Sequence, residues 1–340
     1  VNIGVVAIGR NEGERLRSCL ASATRDGATV VYVDSGSTDG SVELAKSLGV
    51  QVLPLDLSLP FTAARARNEG FAKLREIEPA VAAIQFVDGD CEIAAGWIAA
   101  ASTALSSDDK TAVVCGRRRE RFPDATIYNR LCDLEWDTPI GIAKSCGGDA
   151  LIRVSAFEQV GGFNPAVIAG EEPEMCVRLR RGGWIIRRID AEMTLHDAAI
   201  TRFAQWWKRN VRAGHAYTQG YFLHGSPPEF FRAREVRSIH RWVLAPCLLT
   251  IGTAVVLALI ASRFTALGLL PLLLYPLLAF RVALQRRRRG TPFGSSLLYG
   301  VSVALGKFPQ FFGMRQFYAK QRRGEQSTII EYKTSSTAGN

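Results

Sequence analysis

Two short stretches place carboxylates where a strand gives way to a loop. Asp88 and Asp90, in Val87-Asp88-Gly89-Asp90, follow an apolar run from Ala80 to Val87 that reads as a buried strand. Carboxylates one residue apart at such a point suit a single divalent cation held against a diphosphate. Mg²⁺ and Mn²⁺ take oxygen ligands and are usually bound through one or two carboxylates plus substrate phosphates. Asp34 closes a second strand-like run in Val33-Asp34-Ser35-Gly36-Ser37-Thr38-Asp39-Gly40. Its place at the strand end suits it to accept hydrogen bonds from a nucleoside's base or ribose, whereas Ser37, Thr38 or Asp39 has the makings of an ordinary helix N-cap. Each signal is ambiguous alone: an Asp-x-Asp is expected by chance roughly once in a chain this long, and Asp-Gly is common turn chemistry.

These residues need a scaffold that delivers strand ends to one place, and the first 120 residues have its pattern. Strand-like runs at 1–8, 29–33, 50–53, 82–87 and 112–115 alternate with amphipathic helical patterns at 12–23, 41–48, 62–74 and 97–106. This βαβα alternation predicts an α/β fold with a doubly wound, mainly parallel sheet, whose ligands sit at the carboxyl ends of the strands. No Gly-x-Gly-x-x-Gly follows the first strand and no Walker lysine loop occurs, so the usual dinucleotide and ATP fingerprints are absent. From about 121 to 231 the pattern loosens. That part holds Ser145-Cys146-Gly147-Gly148-Asp149, the turn Gly161-Gly162-Phe163-Asn164-Pro165, a helix over 172–181, a strand over 184–189 and an aromatic-basic stretch over 203–221.

In order and spacing, Asn11-Glu12, Val33-Asp34-x-Gly-Ser-Thr-Asp39, Ala66-Arg67-Asn68-x-Gly70 and Asp88-x-Asp90 resemble the inverting family 2 glycosyltransferases of GT-A fold. Gly147-Gly148-Asp149, Gly161-Gly162-Phe163 and Gly170-Glu171-Glu172 followed by Arg178-Leu179 fit the same family, and the match spans roughly residues 1–215. The resemblance implies that Glu12, Asp34, Arg67 and Asp88 bind the donor. It implies a Mg²⁺ or Mn²⁺ site at Asp90, Asp88 and His196, with Asp149, Trp207 and Arg209 on the acceptor side. Glu172 is its candidate catalytic base, because an inverting transfer needs a carboxylate opposite the leaving diphosphate to take the acceptor's proton. The family usually has Glu-Asp here, so Glu171-Glu172 is one methylene longer, and acidic residues at a helix start also complement its macrodipole. Gln205-Trp206-Trp207-Lys208-Arg209 with Arg212 partly matches a Gln-x-x-Arg-Trp segment of processive and lipid-glycosylating relatives. Tryptophans beside basic residues equally suit a helix seated at the headgroup level.

The net charge of +10 is unevenly spread: after residue 231 there are 16 Lys/Arg and 3 Asp/Glu, leaving 26 basic and 29 acidic residues before it. Basicity coincident with the most apolar part of the chain points to membrane lipids, not nucleic acid. Trp242–Ala261 and Phe264–Phe280 carry no charge and form a hairpin around Ser262-Arg263. Arginines 232, 234, 237 and 241 precede it and 286–289 follow it, so the positive-inside rule places both open ends in the cytoplasm. A third stretch over 293–312, basic on both flanks, is expected to lie in the interface. The seven cysteines form no metal or Cys-x-x-Cys spacing and, with no Asn-x-Ser/Thr acceptor in the chain, read as reduced. No signal peptide is expected ahead of the first strand.

The expected organisation is a catalytic domain over 1–231, a membrane domain over 232–325 and a tail over 326–340. The expected enzyme sits at the plasma (inner) membrane with its catalytic domain cytoplasmic. It transfers a sugar from a nucleotide-sugar to a membrane-associated acceptor, polyprenyl-linked, in polysaccharide or glycolipid synthesis. Direct transfer to a polyprenyl phosphate or another lipid is the nearest alternative. A non-catalytic membrane scaffold and a nucleotidyltransferase are the rivals, the latter wanting a Gly-rich basic loop of which Ile8-Gly9-Arg10-Asn11-Glu12 is a thin version.

Overall fold

The computed structural model describes residues 2–260 and 262–332, so the last residue of the run Trp242–Ala261 and the end of the expected tail lie outside the described residues. The chain forms two compact units, residues 1–200 with 326–340, and residues 201–325. Compactness thus divides the chain earlier than the functional boundary expected at 231.

In the first unit, β1 (Ile3–Gly9), α1 (Glu14–Thr24), β2 (Thr29–Asp34), α2 (Ser41–Ser47), β3 (Gln51–Pro54), α3 (Ala63–Ile77) and β4 (Ala83–Asp88) follow one another. Then come β5 (Cys91–Ile93), α4 (Trp97–Ser106), β6 (Thr111–Glu120), α5 (Ile127–Trp136), β7 (Gly141–Ala143), β8 (Ala150–Arg153), α6 (Val154–Gln159), α7 (Glu171–Arg181) and β9 (Ile185–His196). They build one sheet in the order β3-β2-β1-β4-β8-β6-β9-β5, with β7 on β9. From β3 to β4 the neighbours are all parallel. Their near-continuous apolar runs, such as Val5-Val6-Ala7 and Val31-Tyr32-Val33, are buried, as parallel strands covered on both faces require.

Beyond β4 the sheet departs from the expected parallel pattern. β8 is antiparallel to both β4 and β6, β9 is parallel to β6, and β5 and β7 are antiparallel to β9. β6 and β9 outrun the strands expected at 112–115 and 184–189. Charged residues along their outer halves mask them, because a run such as Arg117-Arg118-Arg119 reads as loop.

Helix α3 is fixed at both its start and its face. The Thr62 side chain caps it, accepting the Arg65 N–H at 3.1 Å. A Cβ at Gly70 would fall 2.5 Å from Val6 and 2.7 Å from Val33, so only glycine lets α3 press this closely on β1 and β2. That fit sets the depth of Arg67, one turn earlier.

The second unit contains α8 (Phe203–His224), α9 (Ala233–Ile260), a 3₁₀ stretch (Ser262–Leu273), α10 (Leu274–Arg287) and α11 (Phe293–Arg322). Ala233–Ile260 and Arg263–Arg287 are long and apolar enough to cross a membrane, and only 11 % and 22 % of their most apolar windows is buried. A soluble core helix would be mostly covered; these faces need another apolar partner, which a bilayer supplies. The expected third stretch, 293–312, is part of one 30-residue helix that runs on through Pro309. It packs backbone to backbone. A Cβ on Gly313 would meet the Val211 carbonyl at 1.9 Å, one on Gly214 the Gln310 carbonyl at 1.9 Å, and one on Gly300 the Ala279 carbonyl at 2.1 Å.

Candidate active site

The register of β1 determines what can meet beside it. Gly9 pairs with Asp34 of β2, and Ile8 pairs with Asp88 of β4, so the two aspartates flank the carboxyl end of one strand. The chain leaves β1 toward β2 on one side, while β4 lies on the other, which opens a crevice at this point. Glu12 sits there. A Cβ on Gly89 would lie 3.2 Å from its Cγ and 3.2 Å from the Ile8 carbonyl, which explains the glycine between the two aspartates.

Asp34 is buried, with Tyr32 donating to one oxygen at 3.0 Å and the Gly36 and Ser37 N–H groups to the other at 2.9 Å. Asp39 departs from the expected N-cap. Gly40 caps α2 by backbone geometry, while the Asp39 carboxylate accepts from the Ser41 N–H and from the Gly13 N–H, tying the 10–13 loop to the start of α2.

Deeper in the crevice is an ion cluster. Arg67, 2 % exposed, donates to Asp88 Oδ1 at 2.7 Å and to Glu171 Oε1 at 2.6 Å, and it lies 3.1 Å from Glu172 Oε1. Arg118 bridges Asp149 Oδ2 at 2.6 Å and Asp88 Oδ2 at 3.2 Å, and stacks over Trp136. Asp149 also accepts from Thr194 Oγ1 at 2.6 Å and from the Asp88 N–H at 3.3 Å. Gly148 makes this possible, since a Cβ there would lie 2.7 Å from the Arg67 guanidinium, 3.0 Å from Asp88 and 3.1 Å from Glu172. Four carboxylates, Asp88, Asp149, Glu171 and Glu172, thus face two guanidiniums. The excess of negative charge suits a cation, or a proton on the least stabilised carboxylate.

Glu172 is raised in this way. Burial first, and the neighbouring Glu171 charge second, push its carboxyl up to about 7, against the pull of Arg67. Glu171 and Glu172 are the first two residues of α7, entered through a left-handed Gly170. Their side chains divide: Glu171 is 4 % exposed on Arg67, while Glu172 keeps 14 % exposure.

Asp90 and His196 meet on the other side of Asp88, with Nε2 3.2 Å from Asp90 Oδ2. Burial, then the nearby Arg118 charge, lowers the imidazole to about 4, so at neutral pH it carries a lone pair able to bind a metal. Its Nδ1 is buried without a hydrogen-bond partner. A neutral imidazole beside a carboxylate fits a divalent cation. Asp88 does not join them as directly as the spacing suggests, because each of its oxygens already receives a guanidinium.

Glu12, Asp34, Arg67, Asp88, Asp90, Asp149, Glu171, Glu172 and His196 all gather in the first unit. Trp207 and Arg209 lie on α8 in the second unit, with Trp207 5.8 Å from Phe203 and 6.1 Å from Phe312, centroid to centroid. Asn68 proves structural: its amide donates to the Phe163 carbonyl and accepts the Phe163 N–H, clamping the Gly161-Gly162-Phe163 turn to α3. Sequence reasoning missed Arg118 and Trp136. The only signal for Arg118 was three arginines after an apolar strand, and register shifts on both sides of Arg117 hide which of them turns inward.

Residues 5–161 match the model of the family described as glycosyl transferase family 2. No curated protein matches the sequence. Among solved structures, the chain is similar to the mannosyltransferase PcManGT from Pyrobaculum calidifontis, in complex with GDP-Man and Mn²⁺. The TM-score is 0.53 at 19 % identity, over 90 % of this chain and 87 % of that one. It is also similar to S. aureus TarS, with a TM-score of 0.50 at 12 % identity, over 71 % of this chain and 44 % of the other. At such identity the likeness is one of fold.

Proposed function

We propose, from the match of residues 5–161 to the family described as glycosyl transferase family 2, an enzyme that transfers a sugar with inversion from a nucleotide-sugar to a lipid-linked acceptor at the plasma (inner) membrane. Polyprenyl-linked acceptors in polysaccharide or glycolipid synthesis are the class we favour, because two apolar helices of membrane length hold the enzyme where such acceptors lie. The observation that carries the reading is Asp88 and Asp90 at the carboxyl end of β4 with Glu172 beside them on Arg67, its carboxyl pushed up to about 7 by burial and by Glu171.

In this reading Asp34 and Glu12 receive the nucleoside end of the donor, and Arg67 keeps Asp88 aimed at the diphosphate. Asp90, His196 and Asp88 would hold Mg²⁺ or Mn²⁺, the latter present with GDP-Man in the PcManGT structure. When bound, such an ion neutralises the charge growing on the leaving diphosphate. Glu172 takes the proton of the acceptor hydroxyl, a task for which a carboxyl titrating near the working pH is well matched. Glu171, held by Arg67, keeps Glu172 basic. Asp149 orients Arg118. Trp207 and Arg209 are assigned to the acceptor side at the headgroup level.

The test is to screen UDP-, GDP- and dTDP-sugars for binding to, and turnover by, the full chain in lipid vesicles, with and without EDTA. One nucleotide class should bind and be consumed, and EDTA should stop consumption reversibly. A chain that binds none of the three classes is not this enzyme. Orientation is checked separately by reporters at Asn340 and within Ser262–Arg263, which should fall on opposite sides of the membrane, the former cytoplasmic. An external C-terminal reporter would mean that α11 spans.

A further inference from the structure

Among the described residues, the side chains at this end of the sheet that could hold a metal ion fall into two groups. Asp90, Cys91 and His196 form one and Asp88, Cys91 and Asp149 the other, the atoms of each group lying within 4.8 Å of one another. Cys91 belongs to both, and no part of the function above uses it. Its direction is fixed by the ladder: Cys91 pairs directly with His196 across antiparallel β5 and β9, so the two side chains leave the same face of the sheet. The sulfur is 3.5 Å from Asp90 Oδ1 and 3.6 Å from the Arg118 guanidinium. Cys91 is 1 % exposed and His196 6 %. The imidazole Nε2 lies 3.2 Å from Asp90 Oδ2, while Nδ1 is buried without a partner and keeps a lone pair free.

Imidazole, thiol and carboxylate make a different ligand set from the all-oxygen one that Mg²⁺ demands. Three protein ligands of mixed N, S and O type with a fourth position left open is the pattern of borderline and thiophilic dications. We infer that Cys91 is a metal ligand, and that Asp90, Cys91 and His196 form a centre that takes Zn²⁺, Co²⁺ or Cd²⁺ in preference to Mg²⁺. The inference rests on the reading that this end of the sheet holds a divalent cation. On binding, the thiol proton passes to buffer and the sulfur lone pair goes to the cation; nothing is oxidised or reduced. A thiophilic ion seated there would compete with the Mg²⁺ or Mn²⁺ of turnover.

The experiment titrates the purified full chain, without donor, with Co²⁺ and Cd²⁺ and follows the near-ultraviolet sulfur-to-metal charge-transfer band. Mn²⁺ binding is measured in parallel by electron paramagnetic resonance. The wild-type chain should develop the band with one equivalent of Co²⁺. Cys91→Ala and Cys91→Ser should both lose it, bind Cd²⁺ roughly tenfold or more weakly, and hold Mn²⁺ within about threefold of wild type. Two variants, one apolar and one polar, guard against loss of the fold, which circular dichroism reports. A band that survives in both folded variants belongs to another cysteine and overturns the inference. Co²⁺ or Mn²⁺ binding without any band in the wild type overturns it too, while leaving the proposed function standing. A wild-type chain that binds none of these ions removes both.

Discussion

Strands β2 and β4 bring Asp34 and Asp88 to the site in straight parallel register on either side of β1, whereas β6, β8 and β9 bring Arg118, Asp149 and His196 from a mixed ladder broken by register shifts. The first half contributes carboxylates at predictable strand ends. The second contributes the groups that hold those carboxylates: Arg118 reaches Asp88 and Asp149, and His196 reaches Asp90. Irregularity is useful there. A regular strand points alternate residues to opposite faces, so it cannot aim adjacent residues at one point, while a bulge can. The parallel half therefore supplies Asp34 and Asp88 at its strand ends, and the irregular half supplies the groups that orient Asp88, together with Glu172 and His196.

This division of labour can be broken at graded points. The largest effect should come from the parallel half. Asp88→Ala and Asp90→Ala should each lower sugar transfer by about 10³-fold or more, with the fold intact by circular dichroism, and EDTA should mimic them reversibly. Full activity in metal-free buffer would remove the pair's metal role. A smaller effect is expected from Arg118→Lys, which keeps the charge but loses the fork that spans Asp149 and Asp88. We expect kcat/KM to drop roughly tenfold to a hundredfold; an unchanged value would mean that the irregular half is only structural. The mildest concerns pH. With Glu172 titrating at about 7, the rate should decline as pH drops through that value, because the base must be deprotonated to act. Glu171→Gln removes a negative neighbour that raises Glu172, so the acid limb should move to lower pH, with a loss of rate well below the range of about 10² to 10⁴ typical of a missing base. A limb that stays in place would separate the two glutamates.

Much of the parallel half was legible in the sequence. Buried parallel strands are apolar throughout and their helices are amphipathic, whereas the glycines at 70, 89 and 148 are required by contacts with other elements that no local rule shows. Asp88, Asp90 and Glu172 were singled out by the ordered motifs around them, since a carboxylate at a strand end or a helix start has ordinary turn and dipole uses when taken alone. Arg118 was not, because burial of an arginine depends on which carboxylates the far strands deliver to it. Nor was Trp136, at the end of α5, whose ring packs on both Arg118 and His196 only after folding. The two apolar runs were plain from their missing charges, but the second begins as a 3₁₀ stretch where a single helix was expected. The length of α11 was obscured by Pro309 and by the basic residues of its last turns. Its close packing on α8 and α10 rests on Gly214, Gly300 and Gly313, which carry no pattern along the chain.

The claim on which the rest depends is that Glu172, and not Glu171, removes the acceptor's proton. The direct measurement is donor affinity and turnover for Glu172→Gln, Glu172→Asp and Glu171→Gln, assayed side by side in lipid vesicles. The account predicts that Glu172→Gln loses about 10² to 10⁴ in turnover with donor affinity nearly unchanged, that Glu172→Asp retains measurable activity, and that Glu171→Gln is the mildest of the three. A wild-type rate for Glu172→Gln, or a dead Glu171→Gln beside an active Glu172→Gln, would contradict it.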